Sequence, residues 1–345
     1  GIVSSAYFIG LTLGSIFNDR LIVRIGHIRA YSCFAALIAT SILFQGMSSE
    51  PWTWFVLRLV NGWASVGVFL VVESWLLMAA DPKIRGRLLA LYMIALYGAG
   101  LLGQVNLGAI ALTGDTVPFM IAAILASLSM LPIVMLPRAT PIVERAEPLM
   151  PLQLLRATPT GVIGCFGSGI AIAAVYALLP LYLQRIGLDV TEVGHMMAWV
   201  ILGAMLLQYP VGRWSDHQDR HLVLIVLGAA CALLSLIILM LPAGSPLLVV
   251  AFFLLGGGIF AIYPVAVSHA ADRASSGAIV SMIQGLLLIN SLGCAISPLV
   301  ISPLMTRVGE AGLFWALAAL NVGLVLLFAW RRAKGSEPVT AAPFT

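Results

Sequence analysis

Apolar residues run along this chain in continuous blocks, interrupted by short polar turns, and neither strict alternation nor a single apolar helical stripe dominates. Blocks of roughly 17–25 apolar residues have the length a helix needs to cross a bilayer. Lipid offers no partner for a free backbone N–H or C=O, so each block predicts a membrane-spanning helix. Turn residues place eleven of them, at about 1–17, 30–46, 52–80, 88–106, 117–136, 161–183, 190–211, 222–241, 247–269, 277–300 and 310–330. The ten-residue alternations of a transmembrane β-barrel do not occur. The longest polar stretch, 137–160, is rich in Pro, Arg and Glu and predicts a linker between a helical half at 1–136 and a second at 161–330, with a tail at 331–345.

Composition agrees with the pattern. Of 345 residues, 61% are hydrophobic and 9% charged, and the mean hydropathy is +1.05, outside the range of a soluble domain. The 18 Lys and Arg are scattered through short loops with no interleaved aromatic patch, which argues against a nucleic-acid partner. Their distribution fixes orientation instead. Fifteen fall on one side of the predicted membrane, only Arg185 and Arg307 on the other, and Arg58 within a span. By the positive-inside rule the C-terminus is cytoplasmic and Gly1 starts on the outer face. Cys33, Cys165, Cys231 and Cys294 lie in apolar runs without metal-ligand spacing and read as small core residues. The first seventeen residues lack a basic n-region and a small-residue cleavage site, so they read as a span and not as a signal peptide.

The halves repeat one another. Gly14 to Arg20 ends the first span as Gly212 to Asp216 ends the seventh, at an offset of 198; past a longer loop the offset becomes 191, matching Arg29 to Arg220 and Ala79-Ala80-Asp81 with Gly86 to Ala270-Ala271-Asp272 with Gly277. Such head-to-tail duplication is a transporter architecture. Either offset puts the partner of 161–183 before residue 1. The expected design is therefore two six-helix halves in pseudo-twofold relation, with eleven of twelve helices in this chain and the first absent.

These motifs resemble the major facilitator superfamily over essentially the whole chain. Gly212, Asp216 and Arg220 fit its G-x-x-x-D-R-x-G-R-R type loop motif, and the first-half copy is looser, with Asp19 one place late and a loop extended to Arg29. Arg58-Leu-Val-Asn61-Gly62-Trp-Ala-Ser65 resembles its R-x-x-q-G-x-g-a motif, and "SAYFIG", "VVESW" and "RGRLLALYMI" resemble the YcaD-like branch of bacterial transporters. The resemblance implies an all-α polytopic protein of the bacterial inner membrane. It implies a secondary active transporter, a symporter if protons drive it, that takes a small-molecule substrate by alternating access. A monomer in the lipid bilayer is expected, with no cofactor and no metal. The antiporter Gly-Pro signature is missing from Gly98-x-Gly100-x-x-Gly103, which weakens an exporter reading.

Two sets of residues then carry the candidate chemistry. Gly14, Asp19, Arg20, Arg29, Glu73, Gly212, Asp216 and Arg220 are a candidate cytoplasmic gate: glycines admit neighbouring helices, while acids and arginines bond helix ends and pair across to the next helix. The plainer alternative is that the arginines only set topology. Within the spans, Arg58 sits about 9 Å in from Trp52 at 1.5 Å per residue. A charge there by default marks a pathway, although snorkelling to the headgroups is open to it. Asn61 and Ser65 follow it at helical spacing. Tyr97, Gln104, Tyr176, His195, Tyr263, Gln284 and Asn290 are the other candidate cavity residues, and each is equally suited to an interhelical hydrogen bond, as are Asn106 and Gln208. No H-E-x-x-H, nucleophile elbow or phosphate-cradling loop points to catalysis. A receptor or scaffold, or a truncated and inactive transporter, is the competing reading. A green fluorescent protein fused after Thr345 should fluoresce and an alkaline phosphatase fused there should be inactive; the opposite pair of results would invert the topology.

Overall fold

The computed structural model describes residues 2–79, 85–135, 151–242, 245–272 and 279–335. Every regular element among them is a helix: α1 (Ile2–Ile25), α2 (His27–Met47), α3 (Pro51–Ala79), α4 (Arg85–Ala111), α5 (Val117–Leu128), α6 (Met130–Met135), α7 (Pro151–Ala157), α8 (Pro159–Arg185), α9 (Val190–His217), α10 (Arg220–Met240), α11 (Pro246–Ala271), α12 (Ile279–Val308) and α13 (Gly312–Ala333). Among the described residues, ten stretches are long and apolar enough to cross a membrane, and the apolar part of α1, Ile2–Asn18, falls just short of that length.

Boundaries differ from the sequence expectation where charge was taken to end a helix. α1 continues through Asn18, Asp19 and Arg20 to Gly26, whose φ of 84° stops it. α9 likewise runs through Gly212 and Asp216 to His217. Nothing in either stretch breaks a helix, and polar side chains outside the hydrocarbon cost a helix nothing. The fifth span is interrupted at Ser129, between α5 and α6. Of the stretch read as a linker, residues 137–150 lie outside the described residues and Pro151–Ala157 is helical. Pro180, Pro210, Pro264, Pro298 and Pro303 all lie inside helices, as membrane helices tolerate.

Two compact units result, residues 2–99 with 106–145 and residues 100–105 with 146–345. In the first, α3 packs on both α1 and α2, and α2 also on α5. Phe34, fully buried, stands edge-on to Trp63 with ring centroids 5.3 Å apart. In the second, α8 pairs with α12, α9 with α11, and α10 with α13 and α11. Val223, Leu224, Ile262, Ala266, Leu286 and Phe328 form its core. The pairing repeats between units: α1–α3 corresponds to α9–α11, and α2–α5 to α10–α13.

Helix pairs meet at reciprocal glycines. A Cβ on Gly10 would strike the Leu59 carbonyl and one on Gly62 the Tyr7 carbonyl, locking α1 to α3. Gly203 against Phe253 and Gly256 against Val200 lock α9 to α11, and Gly169 against Asn290 and Gly293 against Phe166 lock α8 to α12. Gly67 on α3 and Gly258 on α11, which match at the 191-residue offset, face corresponding helices, Gly67 abutting Phe34 of α2 and Gly258 abutting Cys231 of α10. Gly98 and Gly103 on α4 have open space where a Cβ would stand. Gly203→Ala should therefore cost about 1–3 kcal/mol through overpacking, whereas Gly323→Ala, with nothing near its Cβ, should be neutral or gain up to about 1 kcal/mol from helix propensity. Denaturation of the purified protein in mixed micelles distinguishes them, and equal stabilities would contradict the crossing geometry.

Candidate functional site

The predicted gate residues divide between the units. In the first, Gly14 is buried against Val66 and the Trp63 carbonyl of α3. Asn18, with no exposed surface, donates from Nδ2 to that same carbonyl at 2.9 Å. Its Oδ1 is buried and makes no hydrogen bond. At the 198-residue offset Asn18, not Asp19, holds the place of Asp216, so the first-half contact is made by a neutral amide. Arg20 and Arg29 are exposed. Glu73 lies on α3, but its side chain and those of Asp19 and Asp216 lie outside the described residues.

In the second unit Arg220 is the organising residue. Its Nε donates to Asp272 Oδ2 at 2.6 Å, its Nη2 reaches Asp272 Oδ1 at 3.4 Å, and its Nη1 donates to Ser215 Oγ at 3.0 Å. One guanidinium thus ties the start of α10 to the ends of α11 and α9. It also lines a pocket of about 110 Å³ with Gln208, Gly212, Pro264 and Ser268. Gly212, expected to admit a neighbouring helix as Gly14 does, has open space beyond it and edges this pocket instead. Asp219 caps α10, accepting from the His221 N–H at 3.0 Å, and its other oxygen pairs with Arg332 Nε of α13 at 2.9 Å. Nothing in their spacing along the chain singles out Asp219, His221 and His269 from the other polar residues at helix ends.

The span-interior residues do not form one group. Arg58 is half-buried on α3 with Tyr7 of α1 as an electrostatic neighbour, and its Nε is buried without a hydrogen bond. Asn61 donates to Ser41 Oγ of α2 at 3.1 Å, and Ser65 to Asn61 Oδ1 at 3.4 Å, so the stripe running on from Arg58 is used in α2–α3 packing. Asn290 donates to the Cys165 carbonyl at 3.0 Å and to Ser168 Oγ at 2.9 Å, joining α12 to α8. Tyr176 stands edge-on to Phe260, with centroids 5.4 Å apart, and is 41% exposed. His195 is exposed, Tyr97, Gln104 and Gln208 are half-buried, and Tyr263 packs on the second-unit core. The Gln284 side chain lies outside the described residues.

The sequence model of the Major Facilitator Superfamily matches residues 1–287 and 161–344. The chain is 31% identical to the uncharacterized MFS-type transporter YcaD of Escherichia fergusonii, over 98% of this chain and 88% of that protein. It is 31% identical to an MFS-type transporter of Enterobacter sp. strain 638, over 99% and 88%. A similar protein of Yersinia pestis is 32% identical over 93% of this chain and 83% of its own length. Among solved structures, the crystal structure of D-xylose-proton symporter matches with a TM-score of 0.75 at 14% identity, covering 95% of this chain and 86% of that one.

Because Asp272 is half-exposed while Arg220 is mostly covered, a double-mutant cycle of Arg220→Gln with Asp272→Asn should give a coupling of about 0.5–1 kcal/mol in unfolding of the purified protein. Strictly additive effects would mean the two side chains do not pair.

Proposed function

Because the chain belongs to the major facilitator superfamily, in its YcaD-like branch, we propose that it is a secondary active transporter of the bacterial inner membrane that moves a small solute by alternating access. In that cycle a solute site opens first to one side of the bilayer and then to the other. The multi-pass helical architecture and the transporter relatives support it. Coupling to protons is the form of the cycle we favour, since the fold is shared with a protein described as a D-xylose-proton symporter.

The observation that carries the reading is Arg58. A guanidinium inside a span is costly in lipid, and a side chain that snorkels keeps its whole head group in water. Here Nε is buried and makes no hydrogen bond. The residue stands one turn from Gly62, where α1 and α3 touch backbone to backbone. Such a buried donor in a transporter is suited to a solute oxygen. Tyr97, Gln104, Tyr176, His195, Tyr263 and Gln284 are proposed to complete the pathway. Asn61, Ser65 and Asn290 belong to it only through the helices they hold together. Gly14, Asn18, Arg220 and Asp272 are proposed as gate contacts, with Asp19, Arg20, Arg29, Glu73, Gly212 and Asp216 beside them in sequence.

Reconstituted into proteoliposomes, the protein should accumulate one of a panel of sugars, organic acids and amines when a proton gradient is imposed. Arg58→Gln should lower the initial rate at least tenfold with the folded yield unchanged, and Arg58→Lys should restore part of it. Failure of every solute to move would favour a receptor or scaffold, and wild-type transport by Arg58→Gln would remove this residue from the pathway.

A further inference from the structure

Two histidines meet inside the second unit, away from the residues assigned to the pathway. His221 is the second residue of α10 and His269 lies in the last turn of α11. Their rings stand edge to face, centroids 4.3 Å apart at 83°. Both are buried, with 6% and 1% of their surfaces exposed. His221 Nδ1 lies 3.6 Å from Asp219 Oδ1, and its Nε2 is 3.2 Å from Thr160 Oγ1 in the first turn of α8.

We propose that the His221–His269 pair is a proton-binding site that joins the start of α8 to α10 and α11, more firmly when it carries its proton. The pair has room for one charge. Two imidazoliums in ring contact would repel each other, so the first proton opposes the second. His221 receives it, because Asp219 flanks its Nδ1. While His221 is neutral with its hydrogen on Nδ1, Nε2 accepts the Thr160 hydroxyl hydrogen. A proton taken from water onto Nε2 reverses that bond: Nε2–H then donates to Thr160 Oγ1, now a charge-assisted bond, and the hydroxyl hydrogen turns to another acceptor. The hydroxyl of Thr158 at the same corner is buried and makes no hydrogen bond. Space there is tight, because a Cβ on Gly161 would touch both Thr158 Oγ1 and Ala270.

Among the described residues, most charges around the pair already have partners. On α10, Arg220 is engaged with Asp272 of α11. From α13, Arg332 shares Asp219 with His221, and Arg331 and Lys334 lie over the Trp330 ring. On α9, Ser215 bonds Arg220, while exposed His217 bonds the Arg213 carbonyl. On α7, Arg156 is exposed. Asp219 is thus the anion shared by the imidazole pair and Arg332. This site goes beyond the transporter reading and stands whichever solute is moved. Positive-inside orientation makes it responsive to cytoplasmic pH.

The test uses the whole chain in lipid nanodiscs with ring-labelled histidine, followed by NMR from pH 5 to 8.5. In the wild type the pair should take up a single proton across that range. His269→Gln, which removes no charge from the singly protonated pair, should leave the midpoint of His221 within about half a pH unit of the wild type, threefold in proton affinity. Asp219→Asn, which keeps a capping side chain on α10, should lower that midpoint by about one pH unit, tenfold in affinity. Tryptic cleavage after Arg156, normalised to an unfolded peptide, should slow on acidification in the wild type and lose that response in His221→Gln. Uptake of two protons by the pair in that range, an unchanged midpoint in Asp219→Asn, no proton uptake by either ring, or the same Arg156 response in His221→Gln would each overturn the proposal. If His269→Gln does not fold, the Asp219→Asn midpoint decides.

Discussion

Backbone contact at paired glycines is the constraint on which the rest of this protein depends. In a bilayer, apolar side chains gain nothing by leaving lipid for one another, so helices are held by close van der Waals approach and by hydrogen bonds across the seam. Gly10 with Gly62, Gly203 with Gly256, and Gly169 with Gly293 each let one helix lie directly against the carbonyls of its partner. The polar bonds then fall beside these crossings: Asn18 reaches the Trp63 carbonyl four residues after Gly14, and Ser297 and Asn290 reach Ile170 and Cys165 carbonyls on either side of Gly293. Arg58 is held one turn from Gly62 by the same contact.

A second consequence concerns where charge can sit. Once the seams are closed by glycine and amide, ionic pairs are left to the helix ends, where water offsets their desolvation. Arg220–Asp272 and Asp219–Arg332 are of this kind, each with at least one well-exposed partner. Pairs of that exposure contribute little to stability individually, but they connect four helix ends, α9, α10, α11 and α13, through two neighbouring residues. Small changes in one pair are therefore felt by the others.

Hydropathy made the helical class and most of the spans legible, because continuous apolar length is a one-dimensional property. It failed where the deciding quantity was three-dimensional. Charge in Asn18-Asp19-Arg20 and at Arg213 suggested loops, yet no residue there breaks a helix and α1 and α9 continue through. The helical spacing of Arg58, Asn61 and Ser65 suggested one polar stripe, but the 60° by which three residues miss a full turn lets Asn61 reach α2 while Arg58 neighbours Tyr7 of α1. Sequence placed Asp19 in the motif because it is an acid; the register and the buried amide bond select Asn18. The contacts of Asp219, His221 and His269 join residues of four helices, α8, α10, α11 and α13, and no local spacing announces them.

The repeat itself separates inherited design from what is particular to one half. Glycines at the 67 and 258 positions do the same work in both units, and Arg29 and Arg220 match at the same offset. At that offset, however, His221 and His269 correspond to Ala30 and Met78, and Asp219 to Ile28. Ala30 is buried without exposed surface, as an apolar residue at a closed seam can be. An apolar residue at this position is therefore compatible with a unit of this architecture. Two imidazoles and a carboxylate at the second unit's positions are groups that must be desolvated and paired, which stability alone does not favour. Nor does the acid at the end of α9 have an equivalent on α1, where Asn18 makes an uncharged bond. The imidazole pair is thus a feature of the second unit, while the first unit buries a single histidine, His27, at the start of α2.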